Sequence, residues 1–240
     1  MLPQSAGRSP SEYLGRLLTP AQMELDYACS QMVQLCVSPA TVFKMTAWRK
    51  QTKNQWARDD PGFVFVLLLL TFVSSLAYGV AFHAWDHGIW GFTRSALHGT
   101  FQVVGFGSAM ATWGWYVSNT YLRVRSGHTV EQRVEWLYAF DIHCNAFFPF
   151  FIVAHVAQFF LLPLLLREGW VAAFGANALY GGALSLYVYI TFLGYTSMPF
   201  LKNTHVFIYP LYALSALLLL LTLFEYNMSH IVMAFYFPRL

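Results

Sequence analysis

The chain has 240 residues, of which 57% are hydrophobic, 18% aromatic and only 10% charged, with a net charge of +3. A soluble domain carries about 25% charged residues, so this chain cannot clothe itself for water and much of its outer surface must face lipid. Its three cysteines, Cys29, Cys36 and Cys144, provide neither a disulfide framework nor a zinc-finger spacing.

In chain order, residues 1–18 read as a flexible terminus. Residues 1–16 lack the basic n-region and apolar h-region of a signal peptide, so the first span is expected to direct membrane entry. Residues 19–61 read as juxtamembrane helices. Thr19, Pro20 and Gln22 form a helix start, and Leu25, Ala28, Cys29, Met32 and Cys36 then recur at helical spacing. Pro39 suits a new first turn. The second helix is expected to carry Phe43, Met45, Trp48 and Trp56 among Lys44, Arg49, Lys50 and Lys53. Basic residues interleaved with Trp beside a span suit a helix at headgroup level, attractive to anionic lipid. Asp59 and Asp60 offset that charge and suit either a protein partner or internal pairs with Arg58 and Lys53.

A spanning helix needs about 20 mostly apolar residues. Five stretches free of Asp, Glu, Lys and Arg meet that length, near 62–82, 97–117, 146–166, 170–193 and 206–224. The predicted fold is therefore all-α, a polytopic membrane bundle of five transmembrane helices with an amino-terminal amphipathic helical segment. The second stretch is the least apolar, holding His98, Gln102 and several glycines. Gly105 with Ala109, Gly107 with Ala111, and Ala178 with Gly182 have the small-xxx-small spacing that lets helices approach closely. They are expected to form packing seams inside the bundle or, alternatively, a homodimer seam.

Basic residues set orientation. Arg8, Arg16, Lys44, Arg49, Lys50, Lys53 and Arg58 precede the first span, Arg123, Arg125 and Arg133 follow the second, and Lys202 follows the fourth. Only Arg94, Arg167 and Arg239 lie opposite. The amino terminus is thus expected in the cytosol and residues 225–240 as a lumenal tail. The sequon at Asn227 lies too near the fifth span for a glycan to be expected.

Two polar constellations stand out. His83, Asp86 and His87, between the first two spans, are either a metal-ligand set or a solvated loop. Asp141, His143 and Asn145, before the third span, either form a polar site at the cytosolic interface or cap that helix and bond to the loop before it. Asp141 and Asn145, four apart, share a helix face. Within the spans the readily ionisable groups are His98 and His155, a poor endowment for a pump or ion-coupled carrier. No nucleophile elbow, phosphate loop or paired histidine motif occurs, so no enzymatic activity, cofactor or resident metal is expected.

Three blocks carry a resemblance: 48–61 (WRKQTKNQWARDDP), 135–149 (EWLYAFDIHCNAFFP) and 189–204 (YITFLGYTSMPFLKNT). With them the chain resembles the Unc-fifty (uncoordinated) family of Golgi multi-pass membrane proteins over about 21–237. The resemblance implies five spans with a cytosolic amino terminus, Golgi residence and an inner-nuclear-membrane pool. It also implies support for trafficking of cargo such as acetylcholine-gated channels, and interaction with the large guanine-nucleotide exchange factors of Arf. Cargo receptors are further implied partners. RNA binding has been attributed to a family member, but no RNA-recognition motif is present here. All three blocks fall on the expected cytosolic face. They are therefore expected to build one partner-binding surface from Arg49, Lys50, Lys53, Trp56, Arg58, Asp59, Asp60, Glu135, Asp141, His143 and Lys202. The rival reading is a lipid-handling or small-molecule-handling membrane protein, a carrier or membrane enzyme.

Overall fold

The computed structural model describes residues 23–83, 86, 88–124 and 132–237. The expected flexible terminus, the helix start at Thr19 and Pro20, and His87 lie outside them. Among the described residues the chain is helical, with one isolated antiparallel bridge between Arg123 and Leu201. The all-α bundle expected from composition is the fold observed.

Helices α1 (Leu25–Val37) and α2 (Pro39–Lys53) precede the first long apolar helix, α3 (Gly62–Ala81). Pro39 opens α2, as its missing N–H and fixed φ favour. Asn54 ends α2 in the left-handed region, at φ 53°, a conformation that Asn tolerates better than most residues. The sequence places Trp56 on α2, but it lies beyond this stop, in the loop. On α1 the buried face is Ala28, Gln31, Met32 and Leu35, while Cys29 and Cys36 are exposed. The expected apolar face of α1 was therefore rotated from the real one.

The chain then crosses back through α4 (Gly88–Thr100), a π turn at Phe101–Phe106, α5 (Gly107–Val117) and a second π turn at Ser118–Leu122. Next come α6 (Trp136–Phe151), a π turn at Ile152–Ala157 and α7 (Gln158–Leu165). That π turn follows Pro149, whose ring and missing N–H break the regular hydrogen-bond ladder. α8 (Trp170–Thr196) and α9 (Tyr209–Leu223) complete the long helices, and a short 3₁₀ turn, Thr204–Phe207, leads into α9.

Among the described residues four helical stretches suit a membrane by length and apolarity: Gly62–Ala81, Trp136–Leu165, Trp170–Thr196 and Thr204–Leu223. The expected second span falls short of their apolarity, because Gln102, Ser108, Thr112 and its glycines dilute it. It nonetheless runs the length of the bundle: His98 lies beside Tyr236 at one end, and the carbonyl of Leu122 accepts from Lys202 N–H at the other. Only the Gly107 and Ala111 seam closes inside the bundle, both residues being buried. Ala178 and Gly182 face outward, and nothing lies within 4 Å of a Cβ added at Gly182.

Residues 225–240, read from sequence as a tail, include a further helix, α10 (Met228–Tyr236), which folds back onto the bundle. Asn227 caps it, accepting from the N–H groups of Ser229 and His230, and donates to the Leu165 carbonyl at 2.6 Å. The amide of the sequon is thus buried and engaged. The main core gathers where α1, α2, α3, α6 and α8 meet, around Leu35, Phe63, Leu67, Tyr138, Ile142 and Ile190.

Candidate functional site

After Asn54 the chain turns inward across the first half of α6. Glu135, Tyr138, Asp141 and Asn145 follow one another at three, three and four residues, a spacing that lines one helix face. Each grips the loop at 55–61. The Glu135 carboxylate accepts from the N–H groups of Trp56 and Ala57 at 3.4 and 3.3 Å. The Trp56 indole lies buried between Tyr138, 5.6 Å away, and Phe200, 6.2 Å away. Asp141 accepts from Arg58 N–H at 2.7 Å and pairs with its guanidinium at 3.7 Å. That guanidinium also donates to Asn145 Oδ1 and stacks over the Phe63 ring at 4.0 Å.

Desolvating two charges is tolerated only when geometry and extra hydrogen bonds compensate. Asp141 and Arg58 are both buried and compensated in part, by the Arg58 N–H and by Asn145, while Arg58 Nη1 and Asp141 Oδ1 face each other as an ion pair without a hydrogen bond. The sequence left two roles open for the 141–145 cluster, an interfacial polar site or bonds to the loop before that helix; instead Asp141 and Asn145 hold the distant loop that precedes the first span. Asp60 acts at two helix starts at once, accepting from Glu24 N–H at 2.7 Å and Gly62 N–H at 3.2 Å. Backbone amides at helix starts carry partial positive charge, so a carboxylate there is stabilising.

The third block joins through the turn after α8. Val124 N–H donates to Phe200 and Lys202 N–H to Leu122, at 3.0 and 2.9 Å. The Tyr138 hydroxyl meets the Gly194 carbonyl at 3.3 Å and Ser197 Oγ at 3.1 Å. The three sequence blocks therefore do converge at one end of the bundle. They do so around Trp56 and Arg58, as a packed joint rather than as an open face.

The eleven candidate residues divide accordingly. Lys53 and Lys202 are exposed, and Arg49, Lys50, Asp59, Asp60 and Glu135 are half-buried. Trp56, Arg58, Asp141 and His143 are buried and do not lie on the expected surface. His143 sits deeper still, bonded to the Tyr187 hydroxyl at 2.9 Å among Phe106, Phe140 and Phe147. Its alternation with Asp141 along the sequence suggested a shared site, but residues two apart on a helix face different ways.

Four of the accessible members, Arg49, Lys53, Asp59 and Asp60, rim a pocket of about 310 Å³ between α1, α2 and the start of α3. Lys53 pairs with Asp59 at 2.7 Å on its edge, and Arg49 reaches the Tyr27 hydroxyl at 3.5 Å. Glu24, Tyr27 and Gln31 also line it, and the sequence reading missed all three. Gln31 left no signal, since it occupies a buried position of α1 that periodicity assigns to apolar residues. Trp48 and Met45 stand exposed beside it.

In the loop between α3 and α4, Asp86 N–H donates to the His83 carbonyl at 3.0 Å. Among the described residues no three His, Cys, Asp or Glu side chains gather as a metal site.

The UNC-50 family pattern matches residues 13–237. The chain belongs to the UNC-50 family. It is 44% identical to the Protein unc-50 homolog of Dictyostelium discoideum over 94% of this chain and 87% of that protein. To the Protein unc-50 homolog of Homo sapiens it is 38% identical over 97% of this chain and 88% of that protein. No solved structure matches it. The protein is thus a membrane-embedded, multi-pass member of the family, and its joint at 54–61 with α6 is formed by two of the blocks that carried the resemblance.

Proposed function

We propose that this UNC-50 family protein is a non-enzymatic trafficking factor of the Golgi membrane. Its amino-terminal end faces the cytosol and recruits a large guanine-nucleotide exchange factor of Arf, aiding surface delivery of cargo such as acetylcholine-gated channels. One observation carries this reading. Three blocks, separated by most of the chain's length, are clamped into a single platform whose accessible rim carries both signs of charge. A mixed-charge rim around a fixed support favours a specific protein over a merely anionic surface, because misplaced like charges repel the wrong partner. The docking set narrows to Arg49, Lys50, Lys53, Asp59, Asp60, Glu135 and Lys202. Trp56, Arg58 and Asp141 support it from beneath, and Lys44 and Trp48 face the anionic headgroups.

The test is recruitment of the exchange factor to the Golgi in cells lacking the protein. Cells receive wild type or an Arg49→Glu, Lys50→Glu, Lys53→Glu form at matched abundance. Wild type is expected to restore recruitment and the reversed form to fail. Restoration by both would reduce these charges to a topology anchor and end the docking reading.

A further inference from the structure

A second site lies within the helical bundle, away from the 54–61 joint, and stands independently of the docking reading. A cleft of about 630 Å³ opens between the Phe101–Phe106 turn with α5 on one side and α9 on the other. Phe147 and Phe150 of α6 and Val188 of α8 form its floor. Trp113 and Phe207, with ring centroids 5.7 Å apart, close one end. Its volume is within the roughly 300–1,000 Å³ of small-molecule sites.

At the other end the cleft meets a small polar pocket of about 40 Å³. His98, Gln102 and Tyr236 belong to both. Gln102 Nε2 donates to the Tyr236 hydroxyl at 2.5 Å, and the His98 and Tyr236 rings meet edge-on at 4.7 Å. Thr71, Ser74 and Ser75 bring hydroxyl groups from α3. Gly99 admits them: a Cβ there would lie 2.5 Å from Ser75 Oγ and 2.7 Å from the Thr71 carbonyl. His98 Nε2 is buried without a hydrogen-bond partner, and so is Thr191 Oγ1 on the cleft's α8 wall.

A buried polar atom without a partner is costly, and a native structure that keeps one calls for an explanation. Gln102 lies on one π turn and His155, also lining the polar pocket, lies on another. Such turns recur at functional sites because they re-aim side chains.

Among the described residues neither cavity is lined by Asp, Glu, Lys or Arg; Arg94, one turn before His98, lies outside both linings. A phosphate or ammonium head would enter this apolar surrounding without a counter-charge, at prohibitive cost. A hydroxyl would not, since it both donates and accepts and so satisfies an imidazole nitrogen in either tautomer. We infer that this cleft binds a membrane lipid whose head is a single uncharged hydroxyl, of the sterol or diacylglycerol class. The hydroxyl meets His98 and Gln102, and the apolar body fills the cleft along Phe106, Met110 and Leu214.

The test uses the full chain purified into nanodiscs with photoreactive, alkyne-tagged lipids: a sterol, a diacylglycerol, and a phosphatidylcholine of the same acyl chains. At least one hydroxyl lipid is expected to label cleft peptides and to be competed by its untagged form, and which one labels identifies the class. Phosphatidylcholine at equal mole fraction should label them far less. His98→Ala should cut competed labelling about fivefold, the order of one lost hydrogen bond. Leu214→Trp should cut it at least as far by filling the cleft, and Met110→Trp does the same from the opposite wall should the first variant fail to fold. Equal labelling by phosphatidylcholine overturns the inference, as does wild-type labelling in His98→Ala or in a folded cleft-filling variant.

Discussion

The stretch Trp136–Leu165 and the stretch Thr204–Leu223 are both apolar enough to cross a membrane, yet they do opposite things. Along its most apolar part the first is 39% buried inside the protein, the second 6%. Along α6 nearly every residue is enclosed, polar Asp141, His143 and Asn145 included. On α9 no residue is buried, and Leu217, Leu219, Leu220 and Leu223 point outward. Lipid solvates leucine about as well as a protein interior does, so apolarity alone does not say which helix is central. Polar groups do, because each must find a partner within the protein. α6 is the hub because its polar face holds the 54–61 loop, and α9 is the rim because, apart from Thr222, which accepts from Asn177, it brings few polar side chains to the bundle.

Substitutions can break or sharpen this contrast. The largest effect is expected at the hub. Asp141→Ala leaves the Arg58 guanidinium buried without its counter-charge, which costs about 3–5 kcal/mol. The folded fraction, read by size-exclusion elution after mild heating, should collapse, and wild-type heat tolerance would refute the assignment. An intermediate effect is expected where α5 meets α8. A Cβ at Gly114 would collide with the Tyr195 hydroxyl, and Tyr195 cannot swing away because it is stacked on Phe207 at 4.0 Å. Gly114→Ala should therefore cost about 1–3 kcal/mol. Adding Tyr195→Phe, which deletes the nearer of the two colliding atoms and leaves the ring carbon at 2.8 Å, should recover part of the lost thermal midpoint, whereas additive losses would show the contact to be unimportant. The smallest effect is expected on the rim. Leu219, 66% exposed, should tolerate Ala within about 0.5 kcal/mol, and a large loss of stability in that variant would mean that α9 is packed against something more than lipid.

The same contrast explains what could be read in advance. Long apolar runs at 62–82, 170–193 and 206–224 announced their helices within a few residues, since hydrocarbon thickness fixes length. The third run was placed too late, at 146, whereas α6 begins at Trp136. Its first turns carry Asp141, which a rule admitting no Asp, Glu, Lys or Arg excludes from a span and which the bundle accepts because Arg58 awaits it. The candidate surface failed in part for a related reason. Arg58 and Trp56 sit among polar and charged residues in the sequence, and nothing local to them shows that Asp141, Asn145, Tyr138 and Phe200 arrive from far along the chain to bury them.

By itself, then, the sequence determined the class of the protein. So few charges and so many long apolar runs leave only a helical membrane bundle, because every backbone polar group in lipid must be satisfied within its own segment. Only the tertiary structure decided which polar residues face one another. Pairing Arg58 with Asp141, seating Trp56 against Phe200 and bringing Tyr236 to Gln102 are contacts between distant segments. Such contacts follow from helix order, rotation and depth, and a one-dimensional pattern of apolar and polar residues leaves all three unspecified.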